Sequence, residues 1–159
     1  MTATYEKIAT TTLGSAAAST TFTSISGAYT DLVLVIAGLT TSGTQSAAVQ
    51  FNSDTGSNYS RTLLYGNGTT ALSTRSSSAT TSELGVLDSA TQGNTIYHFM
   101  NYSNTTTYKT FIARGNVASE QVRVGVGLWR STSAITSITV LASDFATGCT
   151  FTLYGIKAE

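Results

Sequence analysis

Proline is absent from the 159-residue chain, cysteine and histidine occur once each as Cys149 and His98, and charged side chains make up only 10%. Each shortage removes a class of function. Without proline there is no stiff linker to mark a domain boundary, and no internal repeat divides the chain, so residues 1–159 are read as one domain. One cysteine permits neither an intrachain disulfide nor a thiolate metal cluster, and Cys149 reads as a buried, inert thiol. Eight basic residues balance eight acidic ones and are scattered from Lys7 to Lys157. The cationic stripe needed to neutralise phosphates or an anionic membrane surface is missing, which argues against nucleic-acid and membrane partners. The longest apolar run, Leu32 to Ala37, is far below the roughly 20 residues of a membrane helix. The opening residues Met1 to Ile8 show no basic segment followed by an apolar one, so no export signal is visible and synthesis in a cytoplasm is expected.

What the chain does contain is threonine, serine, valine and aromatic residues, a composition that suits pleated strands. Hydrophobic residues reach 41%, with eight tyrosines and six phenylalanines, enough to bury a core and offset the ordering entropy of a polar sequence. Alternation with period two recurs throughout. Val122, Val124, Val126 and Leu128 share one face of a strand while Arg123, Gly125, Gly127 and Trp129 share the other. Ala47, Val49 and Phe51 alternate with Ala48, Gln50 and Asn52, Ile138 and Val140 with Ser137, Thr139 and Leu141, and Phe151 and Leu153 with Thr152 and Tyr154. The run from Asp31 to Ala37 is apolar on both faces and predicts a central strand covered on both sides. Turn chemistry falls at Ser53–Asn58, Gly66-Asn67-Gly68, Gly93-Asn94, Gly115-Asn116 and Ala146–Gly148, with Asn67-Gly68 the strongest hairpin signal. About eight to ten strands spaced in this way predict an all-β fold, a single antiparallel β-sandwich of jelly-roll type. Gly14 to Ala18 reads as a connector.

Residues able to carry chemistry are few. His98 lies in a strand-like segment and no Gly-x-Ser-x-Gly elbow presents a nucleophile, so it reads as a satisfied sheet residue rather than a base. The eight acids are Glu6, Asp31, Asp54, Glu83, Asp88, Glu120, Asp144 and Glu159, and no motif pairs any two of them as a glycosidase would require. Asp54 to Asn58 lacks the spaced ligands of a calcium loop and reads as an Asx turn. No phosphate-binding glycine motif occurs. No catalytic residue, metal ligand or cofactor is therefore expected. Trp129 is either an exposed stacking platform for a sugar or, on the reading favoured here, an indole packed across Gly125 and Gly127. Leu32, Leu34 and Ile36 are candidate contacts between copies of the chain, because a doubly apolar strand in a low-charge protein implies a second cover, and a homotrimer is expected.

Several phrases carry a resemblance. Tyr5 to Leu13, Phe22 to Ile36, Phe51 to Ser60, Leu64 to Gly68, Ile135 to Val140 and Phe145 to Ala158 resemble a group of small virion proteins of aquatic bacteriophages. That resemblance implies a β-sandwich module of the phage particle, either a capsid decoration (cement) protein or a part of a tail fibre, with no catalytic motif to carry over. The leading expectation is a decoration protein that binds and stabilises the major capsid lattice as a symmetric oligomer. Thr2, Thr4 and Tyr5, in a short terminal arm, are the candidate capsid contacts. The alternatives are a tail-fibre or receptor-binding module that recognises host surface polysaccharide and, more remotely, a glycan hydrolase.

Overall fold

Threonine-rich and valine-rich alternation becomes twelve strands in the computed structural model, which describes residues 4–157. In chain order they are Tyr5–Thr12 (β1), Ala17–Phe22 (β2), Asp31–Gly38 (β3), Gln45–Phe51 (β4), Tyr59–Gly66 (β5) and Ala71–Ala79 (β6). Ser82–Leu87 (β7), Gly93–Phe99 (β8), Lys109–Val117 (β9), Gln121–Trp129 (β10), Ile138–Phe145 (β11) and Thr150–Ile156 (β12) follow. Eight strands form one sheet in the order β1-β12-β3-β8-β9-β10-β5-β6, and four form a second, β2-β11-β4-β7. Every pairing is antiparallel, and the molecule is an all-β sandwich.

The strand that is apolar on both faces, β3, lies inside the larger sheet between β12 and β8. Leu32, Leu34 and Ile36 point inward and are fully buried. This corrects their assignment as contacts between copies: the subunit's own second sheet covers them, and nothing of them is left to meet a neighbour. They join Tyr97, Phe99, Phe111, Phe151 and Leu153 from the large sheet against Phe22, Ala47, Val49, Phe51, Leu84, Ile138 and Val140 from the small one. Phe51 is the hub of an aromatic cluster, with ring centroids of Phe111, Phe99, Trp129 and Tyr59 at 5.3, 5.4, 5.4 and 6.0 Å. Aromatic pairs in such tilted and edge-on arrangements add to the stabilisation from burial alone.

The strand count exceeds the eight to ten expected because β1, β2 and β6 are polar and largely exposed, so they show little hydrophobic alternation. Two glycine-asparagine pairs expected to turn are instead inside strands. Gly93 and Asn94 open β8, and Gly115 and Asn116 lie in β9, paired with β10. The chain reverses before the first pair, at 88–92, and after the second, at 118–120. The other signals are turns: Asn67 Oδ1 accepts the backbone N–H groups of Thr69 and Thr70 between β5 and β6, and Gly148 takes φ +85° between β11 and β12. Tyr5 is no free arm residue, since it pairs with Ile156 at the start of β1. Around it Glu6 takes an ion pair from Lys157 at 2.5 Å and a hydrogen bond from the Tyr29 hydroxyl at 3.2 Å. Thr4 precedes β1 and is exposed, and Thr2 lies outside the described residues.

Candidate functional site

In an antiparallel sheet, residues directly opposite one another put their side chains on the same face, so register alone maps the outer surface of the eight-stranded sheet. One row across all eight strands reads Lys7, Tyr154, Val33, His98, Ile112, Val126, Thr62 and Arg75. The next reads Thr10, Thr152, Val35, Ile96, Arg114, Val124, Leu64 and Ser73. The third runs Thr12, Thr150, Ala37, Asn94, Asn116, Val122, Gly66 and Ala71. The face is polar and threonine-rich over β1 and β12 and aliphatic along β10, with Ile112 and Leu64 beside it on β9 and β5.

Those aliphatic side chains are open to solvent. Val122, Val126, Leu64, Val124 and Ile112 are exposed by 63, 51, 55, 47 and 42%. The alternation of β10 is therefore oriented with its valines outward and Gly125, Gly127 and Trp129 inward. Contiguous apolar patches of this kind are uncommon on monomeric soluble proteins and mark surfaces of interaction. A groove of about 610 Å³ over β10, β5 and β6 is lined by Leu64, Val122, Val124 and Leu72 among others. Two smaller depressions flank Arg114. One, of about 270 Å³, holds Tyr5, Val33, Ile96, His98 and Ile112, and the other, of about 250 Å³, holds Asn94, Asn116 and Val122.

Trp129 is buried, and its environment differs from the expected one. The space above Gly127 is taken by the ring of Phe111 and that above Gly125 by Leu84, while the indole stacks on Tyr59 at 6.4 Å. Its Nε1–H donates to Asp54 Oδ2 at 2.7 Å. The same carboxylate accepts the Gly56 N–H at 2.9 Å and the Asn58 amide at 2.9 Å, so the Asp54–Asn58 segment is the Asx turn that its sequence indicates. Burial pushes the Asp54 carboxyl up, but the hydrogen bonds from Trp129, Asn58 and Gly56 outweigh it and hold it below the usual carboxylate range. Trp129 is thus a core residue, pinned through its indole N–H by Asp54.

The remaining candidate groups are dispersed. His98 Nε2 sits 3.1 Å from Asp31 Oδ2, and Asp31 Oδ1 accepts the Asn101 N–H at 2.8 Å. Glu83 pairs with Arg61 at 2.8 Å between β7 and β5, and Asp144 accepts from Thr41. Asp88 and Glu120 both accept from the Thr44 hydroxyl. Backbone N–H groups, that of Ser89 foremost, hold Asp88 below its usual range, opposite to the direction a general acid requires. No group of three or more His, Cys, Asp or Glu side chains is placed to hold a metal among the described residues. Lys109, which sequence reasoning did not single out, is buried with its ammonium donating to the carbonyls of Thr107 at 2.8 Å and Thr132 at 3.1 Å. It fastens the loop before β9 to the loop after β10.

The sequence matches no family model and none of the curated proteins. Among solved structures the chain is similar to a homodimeric agglutinin from chicken liver, at 11% identity and TM-score 0.35, covering 84% of this chain and 98% of that one. It is also similar to the galectin LEC-6 of Caenorhabditis elegans, at 7% identity and TM-score 0.34, covering 88% and 89%. A third is an alginate lyase bound to an alginate tetrasaccharide, at 8% identity and TM-score 0.32, covering 82% and 72%. Similarity this slight carries no argument about what this chain does.

Proposed function

We propose that this chain is a structural protein of a bacteriophage particle, a capsid decoration protein that docks through the outer face of its eight-stranded sheet onto the head lattice. The observation that carries the docking mode is the exposed row Val122, Val124 and Val126 with Leu64 beside it. Apolar side chains at that exposure gain free energy when a partner covers them, roughly 25 cal/mol for each Å² removed from water. The virion context rests on the sequence phrases from Tyr5 to Ala158 noted above. On this reading the protein acts by clamping neighbouring capsid subunits and does no chemistry. Immunogold labelling of virions tests it: label over the whole head is the expected result, and label confined to the tail overturns it. The second reading, a tail module that recognises host polysaccharide, is favoured by the amides of Asn94 and Asn116 beside Arg114, none of which has a partner among the described residues.

Self-association into a trimer belongs to the same proposal, with a changed contact. Since β3 is covered, the open edges of the large sheet, β1 and β6, are where copies meet. β6 is paired on one side only, and most of its residues are exposed. Unpaired edges of this kind are templates for strand addition, and a β6-to-β1 contact is heterologous, so it closes as a ring when the rotation permits. Light scattering after size exclusion is expected to give three times the 16.5 kDa subunit mass. A monomer at micromolar concentration removes the ring from the proposal.

A further inference from the structure

Arg114 stands near the middle of the outer face, between Ile96 on β8 and Val124 on β10, and it lines both depressions beside it. No hydrogen bond or ion pair engages it among the described residues, and the same holds for Lys7 and Arg75 at the two ends of the neighbouring row. None of the three rows contains an acid. Asp31, just beyond them on β3, is already engaged by His98 and Asn101. A partner that seals the valines from water also desolvates Arg114, and a guanidinium buried without a counter-charge is strongly unfavourable. We infer that the protein surface docked on this face presents an aspartate or glutamate carboxylate to Arg114, with the amides of Asn94 and Asn116 completing the socket.

The charge pattern selects the partner. A second copy of this chain apposed face to face would bring more unpaired cations and no acid, so like charges would meet at Arg114. Eight strands at ~4.8 Å and about seven residues at ~3.3 Å give a face of roughly 900 Å², close to the ~800 Å² per partner of a standard protein interface. Aliphatic side chains around one central arginine, with Lys7 and Arg75 at the ends, match the composition of a protein contact, where Arg is enriched among apolar residues. A glycan surface would display several aromatic platforms, whereas the three rows hold one aromatic ring, the half-buried Tyr154, and Tyr5 alone is exposed in the depression beside Arg114. The guanidinium fork matches a carboxylate in bidentate geometry, which makes Arg114 the selective contact and the valines the adhesive ones.

This inference rests on the docking reading, and the experiment separates the two. The probe is purified heads of the source bacteriophage carrying a deletion of this gene, mixed with wild-type protein or with folded Val124→Asp, Arg114→Gln and Arg114→Lys variants, and then sedimented. Val124→Asp is expected to abolish binding, and binding equal to wild type would sink the docking reading itself. Arg114→Gln is expected to weaken binding by roughly tenfold or more at low salt and to flatten its salt dependence. Wild-type affinity in Arg114→Gln at every salt concentration, with Val124→Asp defective, overturns the carboxylate alone. The Arg114→Lys protein, bound to heads and treated with a zero-length carbodiimide, is expected to cross-link to an Asp or Glu of another virion protein. A cross-link only to a second copy of this chain, or none while bound, overturns the inference. So does binding to polygalacturonate beads that Arg114→Gln loses, with no binding to heads, since that assigns the face to an acidic glycan.

Discussion

Replacing Gly127 with valine is expected to abolish folding, and Gly127→Ala to lower stability by about 3 kcal/mol. Gly127 on β10 lies directly opposite Phe111 on β9 with its missing side chain facing inward. A Cβ there falls inside the van der Waals envelope of the Phe111 ring. That ring cannot yield, because it is fully buried between Phe51 at 5.3 Å and Phe99 at 5.6 Å. Nor can the backbone retreat, since β10 is paired on both sides, with β5 and β9. Interiors are packed near crystal density, so even one methyl group must displace something. For a chain of this size, 3 kcal/mol corresponds to a fall in Tm of about 6 to 12 °C, and two more methyl groups exceed what a domain with about 5 to 15 kcal/mol of stability tolerates. Thermal unfolding followed by circular dichroism reads the effect. Combining Gly127→Ala with Phe111→Leu is expected to recover part of the loss, because the smaller side chain vacates the contested volume. A neutral Gly127→Ala would mean that Phe111 does not pack over β10 at all.

The same strand shows how far the sequence could be read. Its alternation identifies a strand, but the apolar set Val122, Val124 and Val126 has the composition of an inward face. The opposite holds because Phe111 and Leu84 need the room that Gly125 and Gly127 leave. A glycine is informative only once the cross-strand neighbour is known, and that neighbour is fixed by register rather than by local pattern. Asp31 to Ala37 is the central strand that its two apolar faces indicate, but within the subunit it is covered on one side only: the second sheet lies over Leu32, Leu34 and Ile36, while Val33, Val35 and Ala37 belong to the outer face. The Asx turn at Asp54 was legible because a short polar side chain bonding its own backbone is a local event. The exposed apolar outer face was not, since Lys7, Arg114, Val124 and Leu64 come from four strands that meet only in the folded sheet. Strands β1, β2 and β6 escaped a clean count for a related reason: exposed on much of their surface, they carry no burial signal to alternate.

Alkali is expected to unfold the protein cooperatively above about pH 10, through its buried tyrosines. Tyr97 is fully buried, donating to the Ala47 carbonyl at 2.7 Å and accepting the Gly85 N–H at 2.8 Å, so its hydroxyl joins β8 of one sheet to β4 and β7 of the other. Tyr59 accepts the Phe51 N–H at 2.9 Å, and Tyr102 donates to the Ser26 carbonyl. Burial raises all three phenols against the lowering effect of the backbone hydrogen bonds, Tyr59 to about 12 and Tyr97 further. In the unfolded chain the same groups ionise near pH 10. Between those values the folded state holds more protons than the unfolded one, so stability is full below about pH 10 and falls as the pH climbs toward the folded values. Lys109 runs the other way, because burial lowers its ammonium and its contribution grows with pH, but it is one group against three. At about pH 11, Tyr59 and Tyr97 together remove roughly 3 kcal/mol, using 1.36 kcal/mol per pKa unit. Phenolate absorbance and far-ultraviolet circular dichroism, recorded together during a titration, check the result. The buried rings of Tyr59, Tyr97 and Tyr102 are expected to ionise only as the strand signal collapses. If Tyr59, Tyr97 and Tyr102 ionise near pH 10 while the sheet signal persists, Tyr97 is not sealed between the sheets, and the core is wrong at its centre.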